Sequence, residues 1–227
     1  MLSSEVDNIE VSILQSAPNS ASLNAAARSA ESEILLFLSD EVLSGEAGWL
    51  GEIARQIMRV EVGAVGARLW SPEGTLEDGG LILGVNHIAG PAFRGVPRRH
   101  PGYFNRGWLQ QNVSAVSAAC LAIRKEVFLQ LDGFDAKHLP RNFFDIDLCL
   151  RLRERGLQVV WTPYANLVFA GSGLRGEEQS DEEARHLQKR WSRRLLRDPA
   201  YNPNLSLDPP GFTLAIPPRP NDVGPGS

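Results

Sequence analysis

Hydrophobic and polar positions change their spacing several times along the chain, and each change marks an expected element. Ile9, Val11 and Ile13 alternate with polar residues over 9–14, which predicts a strand with one buried face. The Ala-rich stretch 22–32 predicts a helix. Ile34, Leu35, Leu36, Phe37 and Leu38 then form an unbroken apolar run that stops at Ser39, Asp40 and Glu41. Such a run reads as a central strand, buried on both faces as in a parallel sheet. Open α/β sheets gather their ligands at the C-terminal ends of strands, where this acidic pair stands.

Leu50, Ile53, Ile57 and Met58 recur at helical spacing within 48–59, and 62–69 is a second buried strand whose glycines predict close backbone approach. Residues 86–106 hold Gly, Pro, His and Arg without periodicity, a loop of about 20 residues whose length points to function or mobility. Residues 113–123 are apolar and small. Helices are expected over 125–131, 145–155 and 177–196, with a short strand at 159–161. Residues 1–216 read as one domain and the Pro- and Gly-rich 217–227 as a disordered tail. Strands and helices alternate through the first third, which favours an α/β fold with a mixed, mainly parallel sheet flanked by helices.

Composition removes several function classes. A net charge of −4 offers no electrostatic footing for nucleic acid. The locally basic stretch after Arg185 has the spacing of a solvated helix face. No apolar run approaches the roughly 20 residues of a membrane span, and the N-terminus lacks the basic-then-apolar order of a signal peptide. The two cysteines, Cys120 and Cys149, stand in apolar surroundings as buried free thiols, which suits a reducing, cytoplasmic location. The four histidines show no metal-ligand spacing and read as solvated surface residues.

Two acidic groupings remain. Asp40 and Glu41 fit either a hard divalent cation carrying a diphosphate or, with Ser39, the cap of a following helix. Asp145 and Asp147 open a helix, where the dipole stabilises carboxylates; the alternative is a general base that deprotonates a hydroxyl.

The stretches ILLFLSDEV (34–42), VGAVGARLWSPEGTLEDGG (62–80), GYFNRGWLQQNVSAVSAACLAIRKEVFLQLDGFD (102–135), FDIDLCLRLRERGLQVVWTPYANLVF (144–169) and DPAYNPNLSL (198–207) together resemble glycosyltransferase family 2, in its polysaccharide and O-antigen branch. The resemblance implies a GT-A (nucleotide-diphospho-sugar transferase) fold. It also implies an inverting transfer of sugar from a nucleotide-sugar to a glycan or lipid-linked acceptor. It gives Asp40 and Glu41 to an Mg²⁺ or Mn²⁺ ion and the donor diphosphate, and Asp145 to the catalytic base. Ser117, Ala118, Ala119 and Asp147 fall to substrate binding, the small residues lining the acceptor side. The alternative is a degenerate relative that keeps the fold as a binding or scaffold module.

The chain also departs from the family. Phe144 replaces an acidic or amide residue, Phe169 replaces a histidine of the metal site, and Gly171 replaces the acidic residue after it. Asp78 occupies a frequent His position. Against a family domain of about 250 residues the chain begins at the third strand, about the C-terminal two-thirds. A sheet cut there exposes an edge, and a second copy or a partner subunit is expected to cover 9–14 or the strand beside it.

Overall fold

A computed structural model describes residues 9–14, 19–171, 180–208, 211–217 and 219. In chain order the helices are α1 (Ser20–Ser29), α2 (Trp49–Ile57), α3 (Lys125–Gln130), α4 (Phe144–Glu154) and α5 (Asp181–Leu196). The strands are β1 (Ile34–Leu38), β2 (Val42–Gly45), β3 (Val62–Trp70), β4 (Leu76–Asp78), β5 (Leu81–Leu83), β6 (Ala89–Pro91), β7 (Gln111–Asn112), β8 (Cys120–Arg124) and β9 (Gln158–Phe169).

The main sheet runs β1-β8-β3-β9-β2, with β4 added to β3 and β7 to β9. It is mixed and flanked by helices, the expected α/β class. β3 and β9 pair in parallel, and β8 runs antiparallel to both β1 and β3. β1, β3 and β9 therefore point the same way, although most hydrogen-bonded pairs are antiparallel because β8 lies between β1 and β3 and the short β2, β4 and β7 pair antiparallel with their neighbours.

Two cores sandwich the sheet. The apolar stripe of α2 (Trp49, Leu50, Ile53, Ile57) meets Val62, Val65, Leu69 and Leu167 on one face. On the other face Ile146, Cys149, Leu150 and Leu152 of α4, with Phe128 of α3 and Leu187 of α5, pack on Ala64, Leu121, Ile123 and Val159. Gly66 of β3 is required by this packing: a Cβ there would lie 2.6 Å from the Val116 side chain.

Four expectations need correction. Residues 9–14 carry no strand, and Val11 and Ile13 are 64% and 84% exposed. Alternation alone does not make a strand where no neighbouring strand or core receives the apolar side. β1 sits at an edge and not at the centre, because β8 takes the inner place, and Leu38 is exposed. The strand expected over 159–161 continues to Phe169: Pro163 falls where the register shifts between Gly66 and Arg68, and the irregularity absorbs its missing N–H. The loop 86–106 is structured. β5 and β6 form a hairpin, and Phe93 stacks on Phe212 with ring centroids 4.3 Å apart. Residues more than a hundred positions downstream thus supply its core, which local periodicity cannot reveal.

Helix α5 begins at its N-cap Ser180, whose side chain accepts from the Glu183 N–H; the expected start at Glu177 lies outside the described residues. Of the tail 217–227 only Pro217 and Arg219 are described, and Arg219 donates to the carbonyls of Asn202 and Pro203. No described helix is long and apolar enough to cross a membrane.

Candidate active site

The end of β1 supplies the first acidic grouping. After Leu38 the chain turns directly into β2, with Ser39 Oγ accepting from the Glu41 N–H at 3.2 Å and the Ser39 carbonyl accepting from Val42 N–H at 3.1 Å. No helix starts here, since α2 begins at Trp49. Ser39 therefore closes a turn, and the capping account of Asp40 and Glu41 falls. Both acidic residues are exposed.

β2 pairs antiparallel with the end of β9, Val42 opposite Phe169, and Ala170 N–H donates to the Glu41 carbonyl at 2.9 Å. A Cβ at Gly171 would overlap the Phe169 ring and lie 2.7 Å from Glu41 Oε2. The Glu41 carboxylate, the buried Phe169 ring and the Gly171 backbone thus converge on one point, with Glu41 the only donor side chain of the three.

The second grouping opens α4. Its N-cap, Phe143, has a left-handed φ of 62° and gives no side-chain cap, so the first-turn N–H groups look to the carboxylates beside them. Asp145 Oδ2 accepts from the Ala118 N–H at 3.0 Å and Oδ1 from the Ile146 N–H at 2.8 Å. Ser117 Oγ accepts from Ala119 N–H at 3.0 Å, and the Ala119 carbonyl accepts from Ser39 N–H at 3.0 Å. Two neighbouring alanines therefore bridge the groupings, Ala119 holding the end of β1 and Ala118 holding Asp145. Packing reinforces the bridge. Phe144 sits edge-on to Phe134, which packs on Phe37 of β1 with centroids 4.9 Å apart. Phe144, which can ligate nothing, contributes its ring to this cluster.

Asp147 lies elsewhere. It is fully buried, Oδ2 accepting from Arg151 Nε at 2.7 Å and Oδ1 from Trp191 Nε1 at 2.9 Å, with Arg190 Nη1 at 3.2 Å. Its carboxylate ties α4 to α5 and does not face Ala118. Asp78, at the frequent His position, is also buried and accepts from Gly80 N–H at 2.6 Å.

Two of the four histidines are not simply solvated surface residues. Asp135, His138 and His186 bring their ligand atoms within 4.8 Å of one another, and among the described residues they form the one three-donor cluster of metal-binding type. Asp135 and His138 are close in sequence, but His186 arrives on α5, so spacing alone gave no signal. Asp198, too, went unread. It is buried, and it accepts from the N–H groups of Leu83 and Ala200 at 2.7 Å and from the Ser114 hydroxyl, which pins the chain after α5 to β5. Burial pushes its carboxyl above the usual range, outweighing those hydrogen bonds.

Against known structures, the chain superposes on GalNAc-T7 solved with UDP, GalNAc and Mn²⁺. The TM-score is 0.57 with 12% identity, covering 76% of this chain and 34% of that one. This chain has the GT-A glycosyltransferase fold. No protein-family profile matches the sequence of this GT-A chain. It is 36% identical over 194 residues to the O-antigen biosynthesis protein RfbC of Myxococcus xanthus, covering 81% of this chain and 15% of that protein. It is 40% identical over 205 residues to the uncharacterized protein y4gI of Sinorhizobium fredii (strain NBRC 101917 / NGR234), covering 87% of this chain and 23% of that protein. The GT-A chain thus spans less than a quarter of each of these curated relatives.

Proposed function

We propose that this GT-A chain transfers a sugar from a nucleotide-sugar donor to a glycan or lipid-linked acceptor in cell-surface polysaccharide synthesis. The observation that supports the proposal is the bridge from Ser39 through Ala119 and Ala118 to Asp145, which links the strand end before Asp40 and Glu41 to the helix that carries Asp145. Similarity to the O-antigen biosynthesis protein supports the pathway.

In this reading Asp145 accepts the proton of the attacking hydroxyl. Its two backbone donors fix the orientation of the carboxylate, and each oxygen keeps a further lone pair for that proton. Ser117, Ala118 and Ala119 form a low wall beside it, where a sugar ring can lie against backbone. Attack from that side and departure of the diphosphate on the other inverts the anomeric centre.

The residues at the strand end fit a hard cation of the Mg²⁺ or Mn²⁺ kind, which takes one or two carboxylates and completes its shell with substrate phosphates and water. Glu41 and Asp40 would hold it, and Phe169 adds no ligand. Such a cation, when bound, neutralises charge developing on the departing diphosphate. The reaction draws on cytoplasmic nucleotide-sugar, consistent with two buried free thiols. β1 exposes one edge among the described strands, and a second copy or a partner subunit covers it.

Phe169, buried beside Glu41, favours a second reading in which the cation site has decayed and the fold serves as a glycan-binding module. Calorimetric titration with uridine, guanosine and deoxythymidine diphosphate sugars, with and without Mn²⁺, separates the two. The transferase reading expects one donor to bind, more tightly with Mn²⁺. Binding of glycan with no donor binding under either condition would establish the module.

A further inference from the structure

The cluster on the far side of Asp147 has a chemistry of its own. Asp135 follows the turn at Gly133 and Phe134, His138 lies three residues on, and His186 projects from α5. His138 Nδ1 stands 3.1 Å from both Asp135 oxygens, and His186 Nε2 stands 3.8 Å from Asp135 Oδ2. At 3.8 Å the second approach is too long for a hydrogen bond. His186 Nε2 is nevertheless shut off from solvent and has no hydrogen-bond partner among the described residues. A buried polar atom left unsatisfied and aimed at a carboxylate is rare in folded proteins and calls for a missing partner.

We propose that Asp135, His138 and His186 bind a divalent transition-metal ion of the zinc class, at a site separate from Asp40 and Glu41. Ligand bonds of about 2.0–2.2 Å in tetrahedral array put neighbouring donor atoms about 3.3–3.5 Å apart. The 3.1 and 3.8 Å separations bracket that value and all three donor atoms lie within 4.8 Å of one another, so a turn of one imidazole closes the shell. Two imidazoles and one carboxylate suit zinc, nickel or copper, whereas the all-oxygen Asp40 and Glu41 suit magnesium or manganese. The three protein ligands leave a fourth position for water.

Two features of the unliganded cluster show what loading changes. The His138 and His186 rings are stacked, with centroids 4.4 Å apart and planes within 5°. Parallel rings cannot both aim an in-plane lone pair at one ion, so one must turn. His138, 44% exposed, is free to do so, whereas His186 is held in α5. Arg190 Nη1 contacts Asp135 at 3.4 Å and Asp147 at 3.2 Å, so an arriving cation displaces it toward Asp147 without leaving it unpaired. The bound ion then clamps α5 to the turn whose Phe134 buttresses Phe144 and the start of α4.

The test is calorimetric titration of the untagged, chelator-treated chain with Zn²⁺, followed by nitrogen-15 NMR of the histidine rings. The expected result is one equivalent bound, with His138 Nδ1 and His186 Nε2 both shifted. His138→Ala and His186→Ala should each bind at least about tenfold more weakly, while Glu41→Gln leaves Zn²⁺ affinity unchanged. The cysteines do not confuse the readout, since both are buried. Absence of stoichiometric uptake, unshifted ring nitrogens in the unaltered chain, or equal affinity in the two histidine variants overturns the proposal.

Discussion

Asp145 accepts the backbone N–H of Ala118 at 3.0 Å, and the residue after Ala118 binds the end of β1 through Ser39. A carboxylate on a helix and the turn that carries an acidic pair, more than a hundred residues apart, are thereby linked through two small residues. Small side chains matter here because the contacts are made by backbone, and a bulkier residue would stand between the carboxylate and whatever lies against the wall.

Asp147 is expected to act on stability and not on substrate. Removing it leaves the Arg151 guanidinium and the Trp191 indole N–H without their buried acceptor, a loss of about 3–5 kcal/mol by the usual size of a broken buried pair. Thermal melts of Asp147→Ala should show that fall. Asp147→Asn, where it folds, should bind donor as the unaltered chain does; a drop in donor affinity with intact helicity would return Asp147 to the substrate site.

Phe169 and Gly171 are expected to be coupled. Because the Phe169 ring occupies the space of a Cβ at 171, Gly171→Ala should destabilise by about 1–3 kcal/mol, as overpacking does. Phe169→Leu should relieve much of that loss in a double-mutant cycle. Phe169→His should place an imidazole beside Glu41 and strengthen Mn²⁺ binding in the presence of a nucleoside diphosphate. Additive stabilities and unchanged Mn²⁺ affinity would contradict the convergence described for this corner.

Cys120 and Cys149 should resist alkylation. Burial pushes both thiols up to about 12, so almost no thiolate exists at pH 8. Mass spectrometry after iodoacetamide should find neither modified in the native chain and both modified in denaturant. Rapid labelling of the native protein would show that the faces of the sheet open.

Stability should carry a pH signature from Asp198. Its folded value is raised, so the folded state holds the proton more tightly than the unfolded one. Its contribution is full below the unfolded value and is lost as pH climbs through the folded value. The window opens at the ordinary 3.8 and extends upward. Melting temperatures of the unaltered chain should fall relative to Asp198→Asn across it; parallel curves would contradict the assignment.

How much of this was legible beforehand depended on where each residue finds its partners. β1, β3, α2 and α4 announced themselves because their apolar periods match faces that are buried locally. Residues 9–14 have the same alternation and no surface to receive it. The order of 86–106 rests on Phe212 and Tyr201, and the cluster at Asp135 rests on His186, so neither shows in local spacing. Asp40, Glu41 and Asp145 were open to capping as well as to chemistry; the direct turn from β1 into β2 removes the cap for the first two, while Asp145 accepts both a first-turn N–H of its own helix and the N–H of Ala118.

Asp145 is proposed here as the proton acceptor of a sugar transfer. The most direct measurement compares turnover and donor affinity in Asp145→Asn, using the nucleotide-sugar that calorimetry shows to bind. Asn keeps an oxygen for the Ala118 N–H, gives up the acceptor for Ile146 N–H and loses the basicity, so the chemical step should suffer far more than donor binding. Turnover should fall by about 10²–10⁴-fold, the usual range for a general base, with donor affinity nearly unchanged. Full turnover by Asp145→Asn would contradict it.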